Sequence, residues 1–142
     1  MARPAASTLA LLTLASAFVT LPASANTFKW TSASDIPTWD IHSQNNALAN
    51  GVHAAVYESL FYYNKKFELE PLLATGFKQI SPTQVRITLR NGVKFHDGAA
   101  FDADDAKFSL ERAMSKSSNY GVYTQGIERI VKVDDYTIDI LT

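Results

Sequence analysis

Leu89-Arg90-Asn91-Gly92-Val93-Lys94-Phe95-His96-Asp97-Gly98 is the stretch from which the fold is read outward. It closes a run, residues 84–90, in which Val85, Ile87 and Leu89 alternate with Arg86, Thr88 and Arg90. That period of two predicts a half-buried strand with a cationic outer face. Asn91-Gly92 follows at once and predicts a type I′ hairpin, whose two central residues both need φ > 0, with Val93-Lys94-Phe95 as the return strand. His96-Asp97-Gly98 reads as a second turn.

Downstream, Asp102 predicts an N-cap for a helix over residues 103–115, with Asp104 and Asp105 favoured in its first turn by the macrodipole. Its buried face is predicted as Ala106, Leu110, Ala113 and Met114. Residues 115–126 are polar and aromatic and read as an irregular loop. A hairpin of residues 130–133 and 136–141 turns at Asp134-Asp135, and its second strand is still alternating at Thr142. With the resemblance described below, that ending predicts the N-terminal part of a longer protein.

Upstream, residues 27–31 alternate as a strand and residues 32–40 read as a loop. Asn45 or Asn46 caps a helix whose apolar positions Leu48, Val52, Ala55, Val56 and Leu60 share one face, at the cost of Gly51 inside it. Asn64-Lys65-Lys66 is a polar turn, and Pro71 opens a short segment, Leu72-Leu73-Ala74, ended at Gly76. At the very start, Arg3 precedes an apolar stretch, residues 9–21, broken by Pro22 and followed by Ala23-Ser24-Ala25. This predicts a signal peptide over residues 1–25, cleaved after Ala25, rather than a retained anchor.

Composition removes whole classes of function. The 142 residues hold 13 Lys+Arg against 14 Asp+Glu, so no basic surface excess supports nucleic-acid binding. Without Cys there is no disulfide, thiol nucleophile, Cys-ligated zinc or lipoprotein anchor. His42, His53 and His96 form no metal-ligand spacing, and His53 reads as a helix-surface histidine. Asp102, Asp104 and Asp105 lack the Gly and Glu of a calcium loop, because Lys107 and Ala113 stand at those positions. No nucleophile elbow, P-loop or dinucleotide fingerprint occurs. No catalytic residue, metal or cofactor is predicted.

Residues 89–98 resemble the signature of family 5 of the bacterial extracellular solute-binding proteins, the peptide- and nickel-binding receptors of ABC importers. Five further segments resemble the family in order and spacing: Asp40 to Ser43, Val56 to Leu60, Leu69 to Ala74, Phe101 to Arg112, and Val133 to Thr137. Ile41 and Ser59 depart from the usual Pro and Gly, which changes local backbone preference.

The resemblance implies an α/β, periplasmic-binding-protein-like (type II, two-lobed) fold. Residues 26–142 would supply only the start of the first lobe and most of a small extra α/β subdomain. It implies a periplasmic receptor that captures a peptide or similar small solute and docks on a membrane permease, with no nucleic-acid partner, monomeric when complete. Asn45, Asn46 and Ala47, with Tyr120 and Tyr123, match segments that line family pockets, although one of the two Asn is as well explained as a helix cap. A chaperone or sensory module without an importer, or a secreted hydrolase of the same fold, remain alternatives. Residues 26–142 alone are expected to be weakly stable, with open strand edges.

Overall fold

A computed structural model describes Thr27, Lys29, Thr31 and residues 34–142. The predicted signal peptide lies outside the described residues, as do Phe28 and Trp30 of the first predicted strand, and Thr27, Lys29 and Thr31 carry no regular structure. Residues 34–142 form one unit. A 3₁₀ turn, Ile41–Ser43, leads into α1 (Ala47–His53), followed by β1 (Phe61–Tyr63), β2 (Leu69–Pro71), β3 (Ala74–Ser81), β4 (Gln84–Leu89), α2 (Ala103–Met114), a second 3₁₀ turn (Gly121–Tyr123), β5 (Arg129–Asp134) and β6 (Thr137–Leu141). β1 and β2 make a two-stranded ribbon, and the remaining strands make an antiparallel sheet in the order β3-β4-β6-β5.

The predicted alternation in β4 places Ile87 and Leu89 in the core beside Ile130 of β5 and Ile138 of β6, which is fully buried. One face of α2 covers them with Ala103 and Ala106, while Leu110 and Met114 pack at the margin. Asp102 starts α2 as predicted: its carboxylate accepts from the Asp104 amide at 2.8 Å, and Asp105 answers at the Asp102 amide at 3.0 Å, a reciprocal capping box. The Ala103 amide donates to the Asp135 carbonyl at 2.9 Å, and Lys132 reaches Asp104 at 2.8 Å, so the helix start is fastened to the β5–β6 turn.

Four expectations fail, each for a tertiary reason. The type I′ hairpin at Asn91-Gly92 does not form, because β3 and β6 already occupy both edges of β4. Gly92 has φ +76° but Asn91 is not in the left-handed region, and residues 93–101 instead fold back on themselves. Lys94 bridges Ala100, and the predicted turn at His96-Asp97-Gly98 is present, with Gly98 at φ +92°. The outer face of β4 is not free positive charge either. Arg86 makes a two-point pair with Asp139 of β6, 2.8 Å at each contact, and Gln84 adds a third donor at 2.7 Å.

The helix predicted to run on to Leu60 stops at His53, and its buried positions are Ala49 and His53 rather than the Leu48/Val52 face. Leu60 has left it to pair with the other side of the ribbon, its carbonyl accepting from the Leu72 and Ala74 amides at 3.0 Å each. The segment around Gly76 is strand rather than a closed short element: Gly76 lies inside β3, next to a break in register against β4.

The β1–β2 turn holds Phe67 at φ +61°, a conformation that a bulky side chain rarely adopts. Asn64 pins it, its side-chain oxygen accepting from the Lys66 amide at 2.8 Å and the Glu68 amide at 3.0 Å. The Phe67 ring is 85% exposed.

Candidate functional site

A cleft of about 1280 Å³ lies where three chain segments meet: residues 41–60, residues 90–96, and the face of α2 carrying Asp105, Ser109 and Leu110. Tyr120, from the loop after α2, also lines it. Two of these segments are placed by local caps. Asp40 caps the first 3₁₀ turn by accepting from the His42 amide at 3.1 Å. Asn46 caps α1, accepting from the Ala49 amide at 2.9 Å. The capping box fixes where α2 begins.

Besides the Arg90–Glu58 pair at 3.1 Å and the bonds from Asn119 to the His42 and Ser43 carbonyls, two long-range ties hold the cleft's segments together. Arg112, in the last turn of α2, grips Asp40 through two bonds of 2.6 Å each and sets its Nη1 2.9 Å from His42 Nδ1. The hydrogen bond from Arg112 holds the Asp40 carboxyl down at about 2, well below the usual carboxylate range. Burial, and then the charge of Arg112, lowers the His42 imidazole below its ordinary value. The second tie is a chain of polar side chains. The Tyr120 hydroxyl donates to Asn50 Oδ1 at 2.8 Å, Asn50 Nδ2 donates to Asn45 Oδ1 at 3.3 Å, and Asn45 Nδ2 reaches the Asn119 carbonyl at 3.4 Å. Burial, followed by the proximity of Tyr123, raises the Tyr120 phenol and keeps it neutral.

The two predicted site segments, far apart in sequence, are therefore joined through Asn50. Tyr120 lines the cleft, packing edge-on to His42 at 6.0 Å and against Tyr123 at 6.0 Å. Asn45 supports Asn50, Asn46 is spent as the α1 cap, and Ala47 is the exposed first residue of that helix. Tyr123 is exposed beside Tyr120.

Sequence reasoning missed the Asp40–Arg112–His42 group, because no spacing rule links the C-terminal turn of one helix to a 3₁₀ turn far upstream. It also misread His53, which is 2% exposed rather than on a helix surface. α1 is too short to carry an outward stripe, and Ala49 and His53 turn inward together. His53 Nε2 meets the Thr38 carbonyl at 3.1 Å, and its ring packs against Trp39 and Tyr57. Among the described residues no group of three or more His, Cys, Asp or Glu is placed to hold a metal ion.

A sequence profile described as "Bacterial extracellular solute-binding proteins, family 5 Middle" matches residues 68–142. The glutathione-binding protein GsiB of Salmonella paratyphi A is 34% identical over 137 residues, 93% of this chain and 27% of its own. The chain thus spans about a quarter of the length of the curated relatives it matches first. NikZ of Campylobacter jejuni, solved in complex with Ni(L-His), is 28% identical with a TM-score of 0.58, over 61% of this chain and 18% of that one. The oligopeptide-binding protein AppA of Bacillus subtilis, solved with a nonapeptide, superposes with a TM-score of 0.62 at 24% identity, over 70% of this chain and 20% of its own. It shares the type II periplasmic-binding-protein fold with the residues described above.

Proposed function

The chain belongs to family 5 of the bacterial extracellular solute-binding proteins, and from that premise we propose that it is the first part of a periplasmic receptor for an ABC importer. The complete protein captures a peptide or similar small solute between two lobes and delivers it to a membrane permease. It binds no nucleic acid and acts as a monomer. Residues 1–25 are its signal peptide, cleaved after Ala25, and residues 26–142 open the solute-binding domain.

One observation carries this reading: a cleft of about 1280 Å³ in whose wall the Asn50 amide, the Tyr120 phenol and the His42 imidazole are fixed in place by neighbouring side chains. These three groups offer uncharged hydrogen bonds beside the opposed charges of Glu58 and Asp105 and of Arg90 and Lys94, which suits a ligand recognised through its backbone while its side chains vary. Of Asn45, Asn46, Ala47, Tyr120 and Tyr123, which match family pocket segments, Tyr120 faces the ligand and Asn45 acts through Asn50, while Asn46, Ala47 and Tyr123 lie outside the cleft lining. Tyr120 gives a rigid apolar face with a polar handle, and the Asn cluster sets its angle.

The experiment is calorimetric titration of the complete gene product with glutathione, trialanine and the nickel–histidine complex. Saturable binding of one of them is expected, and none binding overturns the reading. Permease and ATPase genes beside this one separate the importer from a chaperone or sensory module. Mass measurement of the exported protein tests the cleavage position.

A further inference from the structure

The Asp40–Arg112 pair has a consequence for the ring it touches. A guanidinium has donors and no acceptor, so His42 Nδ1, 2.9 Å from Arg112 Nη1, must present its lone pair. In the neutral imidazole the proton then sits on Nε2. Asp40, holding both Arg112 nitrogens, keeps the guanidinium from swinging away and so fixes the ring and its tautomer together. His42 lines the cleft, and among the described residues its Nε2 has no hydrogen-bond partner. Its aromatic neighbour Tyr120 already donates its hydroxyl hydrogen bond to Asn50 Oδ1.

We propose that His42 is a specificity-determining ligand contact, whose Nε2–H donates to a carbonyl or carboxylate oxygen of the solute in the cleft. The inference rests on the receptor reading above and narrows it to solutes that place such an oxygen beside Tyr120. Burial together with the Arg112 charge keeps the ring neutral near pH 7, so it acts as an oriented donor and not as a counter-ion. The contact discriminates: a solute presenting an N–H there meets another N–H and is rejected.

The test uses the complete protein and whichever of glutathione, trialanine or nickel–histidine titrates the wild type. His42→Phe keeps a ring but removes the donor, and is expected to raise Kd about 3- to 10-fold. His42→Gln restores an N–H near the Nε2 position and is expected to recover most of that loss. Thermal transitions of both variants are expected to match each other, which a purely structural role for the donor does not allow alongside different affinities. Nitrogen-15 spectra of the free protein are expected to show the Nε2–H tautomer at neutral pH. If the wild type binds none of the three, the receptor reading falls and this inference with it. If the wild type binds and His42→Phe binds equally well, this inference alone is overturned. An Nδ1–H tautomer overturns it without any ligand.

Discussion

Truncating Asp139 to alanine tests how the central sheet is held. Asp139 is 4% exposed on β6, opposite Arg86 of β4, and accepts two bonds from Arg86 and one from Gln84. A net hydrogen bond to a charged group contributes about 1.5–3 kcal/mol, but two effects pull the sum down. The Arg86 side chain is 39% exposed, so its guanidinium recovers water when the carboxylate goes. The carboxylate's own desolvation cost also disappears with it. The expected loss is therefore about 2 kcal/mol, not the larger figure for orphaning a buried charge.

Native-state hydrogen exchange reads this locally. Amides of β4 and β6 should exchange about 30-fold faster in Asp139→Ala, at 1.36 kcal/mol per factor of ten. The reverse change is the sharper comparison. Arg86→Met leaves the carboxylate in place, buried and without its cation, and should speed exchange more than Asp139→Ala does. Less than a threefold change for Asp139→Ala, or a larger effect for it than for Arg86→Met, would refute the reasoning.

Acid should act on the cleft before neutral pH does. Asp40 titrates at about 2 in the folded chain against 3.8 for a free carboxyl, so its ion pair is fully present above about pH 4 and is lost as pH falls towards 2. In Arg112→Met, a carbon-13 titration should find the Asp40 carboxyl moved up towards the free value. Asp102→Ala removes a cap and should cost about 1 kcal/mol in a urea titration, with Asp104→Ala at a non-capping position costing less. Phe67→Gly relieves a left-handed phenylalanine worth about 1–2 kcal/mol, less about 0.5–1 kcal/mol of glycine entropy. It should raise thermal stability slightly, and a lower transition temperature would mean that the exposed ring packs on something.

What the sequence disclosed follows from where the determinants lie. The Asp102 cap of α2, the alternation of β4 and the Asp134-Asp135 hairpin are local patterns, and all three appear at or within two residues of the expected places. The Asn91-Gly92 hairpin failed because its strand's two edges were claimed by partners on either side in sequence, one of them beginning at Thr137. Helix α1 failed at its end because Leu60 gains more by pairing with residues 72–74 than by another helical turn. Tyr120 and the Asn cluster could be singled out as residue types, but the bridge through Asn50 could not, since a lone helix asparagine carries no sign of its partner.

The strand that follows β5 in sequence, β6, sits in the middle of the sheet, between β4 and β5. On the ribosome, β3 and β4 can close as a hairpin early, but Arg86 must wait 53 residues for its carboxylate. Until then the nascent chain shows an open edge at β4 and a bare Ile87 stripe, which is the kind of surface that holding chaperones grasp. Closure of this sheet is thus coupled to the arrival of β6, because β5 has no strand partner in it until β6 lies alongside. A sheet built in this order stays pliable until its centre has been filled.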